Sequence, residues 1–158
     1  MQTATSATGQ RKTLEIIAFH LSNQQFCIKT ISIREIRGWA AATPLPHAPP
    51  HVLGVMNLRG SVIPVIDLAA KLGVPNAVDN SRSAIVVVEV GQGVLGLVVD
   101  QVSDILSIGA DRIQPVPDFG VTLDPAFSYG IIALDHGMVC FLNLDHMFAS
   151  HEDAANAP

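Results

Sequence analysis

Apolar positions in this chain come in short runs without helical spacing, broken by turns rich in glycine, proline, asparagine and serine. Leu14 to Leu21 (LEIIAFHL) predicts a strand, Ser22-Asn23-Gln24 a turn, and Gln25 to Ile28 the start of a second strand. Thr30 to Ile33 suits either a single helical turn or a bend, and Glu35 to Trp39 is extended again. Four prolines between Ala40 and His51 mark an irregular crossing loop. Val52 to Leu58 and Val62 to Ile66 then flank Arg59-Gly60-Ser61, a short polar stretch with the glycine a hairpin needs. Pro64 cannot donate to a ladder, so it predicts an edge position or a bulge. Asp67 is placed to cap a helical turn over Leu68 to Leu72, which Gly73 stops. The run VPNAVDNSRS reads as a linker. Ala84 to Val90 (AIVVVEV) is the most strand-like run, and Gly91-Gln92-Gly93 turns it into Val94 to Val99. Asp100 to Ser107 follows, then a long segment from Gly109 to Ser128 with three prolines.

The pattern occurs twice. Tyr129 to Phe148 (YGIIALDHGMVCFLNLDHMF) aligns without a gap on the stretch 76 positions earlier. Gly54 falls on Gly130, Leu58 on Leu134, Val65 on Phe141 and Asp67 on Asn143. Upstream, a shift of 69 lays Phe26 on Leu95, Ile33 on Val102, Glu35 on Asp104 and Ile36 on Ile105. The second half's proline-rich loop is therefore seven residues longer, an insertion loops absorb easily. Each half holds about five short strands and a terminal helical turn, which predicts an all-β chain of two small barrels from an internal duplication. Units under 70 residues are marginal alone, so the two are expected to share an apolar seam.

With 158 residues the chain suits one domain or two very small ones, and 49% apolar against 15% charged residues predicts a folded protein with apolar surface to spare. The net charge of −5 and the absence of a basic stripe argue against nucleic acid. No apolar run is long enough for a membrane span. The N-terminal MQTATSATGQRK lacks the apolar core of a signal peptide, so the expected location is cytoplasmic. Residues 1–12 and 151–158 read as flexible tails. Cys27 and Cys140 sit in apolar runs, which predicts buried thiols rather than a disulfide or metal pair.

The runs REIRG, GVMNLRGSVIPVIDL, LGLVVDQVSDIL and IQPVPDF, in this order and spacing, resemble the CheW family of chemotaxis coupling proteins, over Leu14 to Phe148. The resemblance implies two SH3-like five-stranded barrels, with short helices after each hairpin. Taken sequentially, one domain over residues 14–150 divides into subdomain 1 at about 21–80 and subdomain 2 at about 81–150, with the first strand (14–20) free to pair with subdomain 2. It also implies a non-catalytic adaptor that joins the cytoplasmic hairpin tip of chemoreceptors to the histidine kinase CheA, with other copies of the family as possible partners in array rings. The positions matching the receptor-binding groove are Ile33, Glu35, Gly54, Asn57, Arg59, Val99 and Val102, with Arg59 pairing with Glu35. The kinase contact would be barrel against barrel, on CheA's own regulatory domain of this fold. Leu45, Pro46 and Phe119, apolar residues in proline-rich loops, are its candidates.

Catalysis finds little in the residues. Asp67, Asp100 and Asp104 each follow an apolar strand, where capping or turn formation explains them. His47 and His51 have helical metal spacing, but two prolines between them forbid a regular helix. No phosphate loop, nucleophile motif or CxxC occurs, so no cofactor and no metal is expected. The competing expectation is a double barrel that binds a small ligand, or hydrolyses one, in the interbarrel cleft.

Overall fold

The computed structural model describes residues 13–74, 83–91, 93–116, 125–135 and 137–148. Strands β1 (Thr13–Leu21), β2 (Gln24–Lys29), β3 (Ile33–Gly38), β4 (Val52–Leu58) and β5 (Ser61–Asp67) lead into helix α1 (Leu68–Leu72). The chain continues through β6 (Ala84–Val90), β7 (Gly93–Val99), β8 (Gln101–Gly109), β9 (Ile113–Gln114), β10 (Ser128–Leu134) and β11 (Gly137–Leu142) to α2 (Leu144–Met147). Thr30–Ser32 resolves into one 3-10 turn.

Two sheets result, of five strands in the order β3-β6-β7-β5-β4 and of six in the order β8-β1-β2-β11-β10-β9. Both obey one plan. Ile17 pairs with Ile28 in β1–β2, and 69 positions on Val86 pairs with Leu97 in β6–β7. Gly54 opposes Val65 in β4–β5, and 76 positions on Gly130 opposes Phe141 in β10–β11. Val65 lies parallel to Gly96, as Phe141 does to Cys27. Even the irregularities repeat, with register shifts at Val52/Gly54 and Ser128/Gly130. The extra strand β9 pairs with β10 at Ile131 and Ile132, where the first barrel has only an isolated bridge from Thr43 to Val55.

The sheets do not follow the sequential halves expected from the chain. The hairpin β1–β2 is built into the sheet of β8–β11, and β6–β7 into the sheet of β3–β5. A division near residue 80 therefore cuts through both barrels. The two halves have exchanged their leading hairpins, so each barrel is completed by the other half.

Packing explains why those hairpins lack polar alternation. Ile16, Ala18 and Cys27 fill the core of the second barrel, while Ile17, Phe19, Leu21, Phe26 and Ile28 point the other way into a shared cluster. Ile85, Val87 and Val98 fill the first barrel, and Val86, Val88, Val90, Leu95, Leu97 and Val99 join the same shared cluster. A strand buried on both faces reads as a continuous apolar run. Each fully buried Val, Leu, Ile or Phe contributes roughly 1.5–3 kcal/mol, so this seam is a main source of stability.

Pro64 sits where β5 still has a free edge, since its parallel partner β7 begins to pair only at Val65. Asp67 caps α1 by accepting from the Ala70 N–H at 3.3 Å, and Gly73 closes it in the left-handed region at φ 74°. Asn143 does the same for α2, accepting from the His146 N–H at 3.2 Å. Cys27 is buried, Cys140 is half-buried and both are free thiols. Residues 1–12, 151–158 and most of the linker (75–82) lie outside the described residues.

Candidate functional site

The hairpin between β4 and β5 turns through two residues, with Leu58 opposite Ser61. Arg59 (φ 51°) and Gly60 (φ 88°) both take positive φ, the geometry that matches the twist of a two-residue hairpin. Asn57 stabilises the turn, its Oδ1 accepting from the Gly60 N–H at 3.0 Å. A non-glycine residue in the left-handed region is uncommon, and here it aims the Arg59 side chain off the end of the hairpin.

That side chain meets Glu35 of β3 in a two-pronged contact. Nη1 donates to Oε1 at 3.0 Å and Nη2 to Oε2 at 2.8 Å. The strands that the pair joins stand at opposite ends of the five-stranded order, so the sheet is rolled until its first and last strands face each other. Arg37 adds a second guanidinium 3.8 Å from Glu35 Oε1. The Arg59 hydrogen bonds, followed by the charges of Arg59 and Arg37, hold the Glu35 carboxyl below the usual carboxylate range. The Arg59 side chain is 73% exposed against 23% for Glu35, so the carboxylate is the anchor and the guanidinium faces outward. The second barrel has no such fork, because the matching positions are Asp104 and Asp135, both acidic.

Of the other sequence-derived candidates, Ile33 and Val102 are half-buried and both pack against the shared seam. Val99 lies inside that seam at 1% exposure. Gly54 is buried at φ 148°, and a Cβ there would lie 2.1 Å from the Thr43 carbonyl oxygen. Its glycine is therefore required by the crossing of the Thr43 strand over β4. Leu45, at 47% exposure, and Pro46 are exposed in the crossing loop, and Phe119 lies outside the described residues. Trp39 is 40% exposed. Sequence reasoning missed Arg37, although its period-2 spacing from Glu35 in a strand puts both on one face. No group of three metal-ligating side chains occurs among the described residues.

A family model described as the CheW-like domain matches residues 15–152. The chain belongs to the CheW-like family. A probable chemotaxis protein CheW of Rhizobium etli is 47% identical over 141 residues, covering 89% of this chain and 91% of its own. The chemotaxis protein CheW of Klebsiella aerogenes is 34% identical over 154 residues, covering 98% and 93%. Among solved structures, the scaffolding protein TtCheW from Thermoanaerobacter tengcongensis matches at TM-score 0.80 and 31% identity, covering 87% of this chain and 88% of that one.

Proposed function

We propose that this protein is a non-catalytic adaptor of chemotaxis signalling that couples the cytoplasmic tips of chemoreceptors to the histidine kinase CheA. The observation that carries this reading is the CheW-like match across residues 15–152, with relatives named as chemotaxis proteins over most of the chain. The protein works in the cytoplasm, held at membrane-associated receptor arrays through its partners. In keeping with this, no helix among the described residues is long and apolar enough to cross a membrane.

The receptor surface is centred on Arg59 and Glu35, with Ile33 and Val102 supplying apolar contact, Asn57 fixing the turn, and Gly54 and Val99 holding the floor. An exposed guanidinium pinned on one side by a carboxylate offers its remaining N–H donors in a fixed direction, which suits carboxylates and carbonyls at a helical tip. The kinase meets the barrels themselves, near Leu45, Pro46 and Phe119. Exposed apolar residues at matched positions support such barrel-to-barrel docking: Ile36 with Ile105, Leu53 with Tyr129, and Val62 with Met138. A partner of the same duplicated fold, whether the kinase's regulatory domain or another copy of this chain in a ring, can meet either barrel.

A ternary pull-down with a receptor hairpin fragment and the kinase tests this reading. Wild type recovers both partners. Arg59→Ala loses the receptor while keeping the wild-type fold, since the side chain is exposed. Equal receptor recovery by wild type and Arg59→Ala would remove Arg59 from the surface. Ile33→Asp is a poorer probe, because Ile33 packs on the seam and its loss perturbs folding as well.

A further inference from the structure

Two guanidiniums converge on the Glu35 carboxylate, and only one of them is hydrogen-bonded to it. Both Glu35 oxygens accept from Arg59, at 3.0 and 2.8 Å. Arg37 approaches the same Oε1 only to 3.8 Å, beyond hydrogen-bond distance. Among the described residues its guanidinium makes no hydrogen bond. The Arg37 side chain is 40% exposed, so a partner can reach it. Two arginines against one carboxylate leave a surplus positive charge here, on a chain whose net charge is −5.

The duplication shows that the barrel itself does not need this charge. Arg37 matches Leu106, 69 positions on, and Leu106 packs against the core of the second barrel. An apolar side chain thus fills the structural role at this point in the sister barrel. The fork does not need Arg37 either, since Arg59 alone occupies both carboxylate oxygens. Strand alternation puts Ile33, Glu35 and Arg37 on one face of β3, so Arg37 extends the Arg59–Glu35 surface away from the end that carries Ile33. A guanidinium with unused donors is best matched by a carboxylate, which accepts two parallel N–H bonds and balances the charge. A neutral carbonyl would leave the surplus charge uncompensated.

We infer that Arg37 is a specificity-determining residue of the receptor surface: its guanidinium binds the carboxylate of an aspartate or glutamate on the receptor's hairpin tip. This rests on the coupling role proposed above. Docking excludes water from the pair, so a contact worth little on an open surface gains strength in the complex.

The experiment measures, by calorimetry, binding of a chemoreceptor hairpin-tip fragment to the full chain, with each aspartate and glutamate of the fragment changed in turn to lysine. Arg37→Gln should fold as wild type does, leave the Glu35 carboxyl below its ordinary range in an NMR titration, and weaken binding about tenfold. Arg37→Glu should weaken it further. At one acidic position the lysine fragment should bind wild type about tenfold more weakly, yet bind Arg37→Glu more tightly than the unaltered fragment does. The inference is overturned if Arg37→Gln binds as well as wild type, or if no acidic position shows this exchange. It is also overturned if Arg37→Gln returns the Glu35 carboxyl to its ordinary value, which would give Arg37 a role only through the fork. A wild type that does not bind the fragment removes the coupling role and this inference together. Binding lost in Arg59→Ala but kept in Arg37→Gln and Arg37→Glu removes this inference alone.

Discussion

Arg59 and Glu35 show how much chemistry one turn can set. The left-handed conformation of Arg59 directs a guanidinium back across the barrel mouth, and the carboxylate of Glu35 holds it there at 2.8 Å. Because the Glu35 carboxyl is held low in the folded state, its contribution is present in full above its unfolded value of about 4.3 and is lost as pH falls through the lower folded value. If this pair is the receptor contact proposed above, binding should stay level from neutral pH through the usual carboxylate range and decay only as pH falls through the lowered Glu35 value. A carboxyl titration of Glu35 by NMR checks this, and a midpoint at or above the ordinary value would contradict it. Cys27 behaves in the opposite sense. Burial, reinforced by nearby Cys140, pushes its thiol up to about 12, and burial raises Cys140 as well. The thiolate is the reactive form, so both should resist iodoacetamide at pH 7.5 in the native protein and react on unfolding. Mass spectrometry of the alkylated chain reads the result, and fast native labelling of Cys27 would refute the placement.

At the level of elements, two devices recur in each barrel. A glycine near the start of β4 and β10 lets another segment cross at backbone distance: a Cβ at Gly54 would lie 2.1 Å from Thr43 O, and one at Gly130 would lie 2.3 Å from Gln114 O. Their φ angles of 148° and 147° add strain for any L side chain. Gly54→Ala and Gly130→Ala should each destabilise the fold by about 3 kcal/mol, as strain and clash combine. The second device is the polar cap on each short helix. Asp67→Ala removes one cap and should cost about 1 kcal/mol. Urea denaturation distinguishes these magnitudes, and a glycine variant as mild as the cap variant would show that the crossing relaxes. The caps were legible from Asp67 and its repeat mate Asn143. The crossings were not, because the residues they meet are 11 and 16 positions away along loops with no pairing pattern.

For the molecule as a whole, the exchanged hairpins dominate. Residues 1–80 supply β1–β2 to one barrel and β3–β5 to the other, so neither half owns a complete core. Cutting the chain within residues 75–82 should yield two fragments that stay unfolded apart and regain β-structure when mixed. Circular dichroism and gel filtration follow the recovery, and independent folding of either fragment would contradict the interleaving. The same interleaving explains the unbroken apolar stretches 16–19 and 85–88 in the middle of β1 and β6: each is covered by a barrel core on one side and the seam on the other.

From its residues alone the chain determined that it would be all-β, that its plan would occur twice, where its hairpins and caps would stand, and that Arg59 would sit at a hairpin tip. These are local or self-similar features, carried by glycine, proline and aspartate at turns and by matching apolar runs. Which hairpin completes which barrel was decided only in three dimensions. Leu21 and Val90 end strands of the same apolar pattern at matching repeat positions, and no local pattern in either half distinguishes its own β4–β5 partner from the other half's. In the exchanged arrangement both faces of β1–β2 and β6–β7 are buried, one in a barrel core and one in the shared seam, which joins two halves too small to be stable alone into one apolar core.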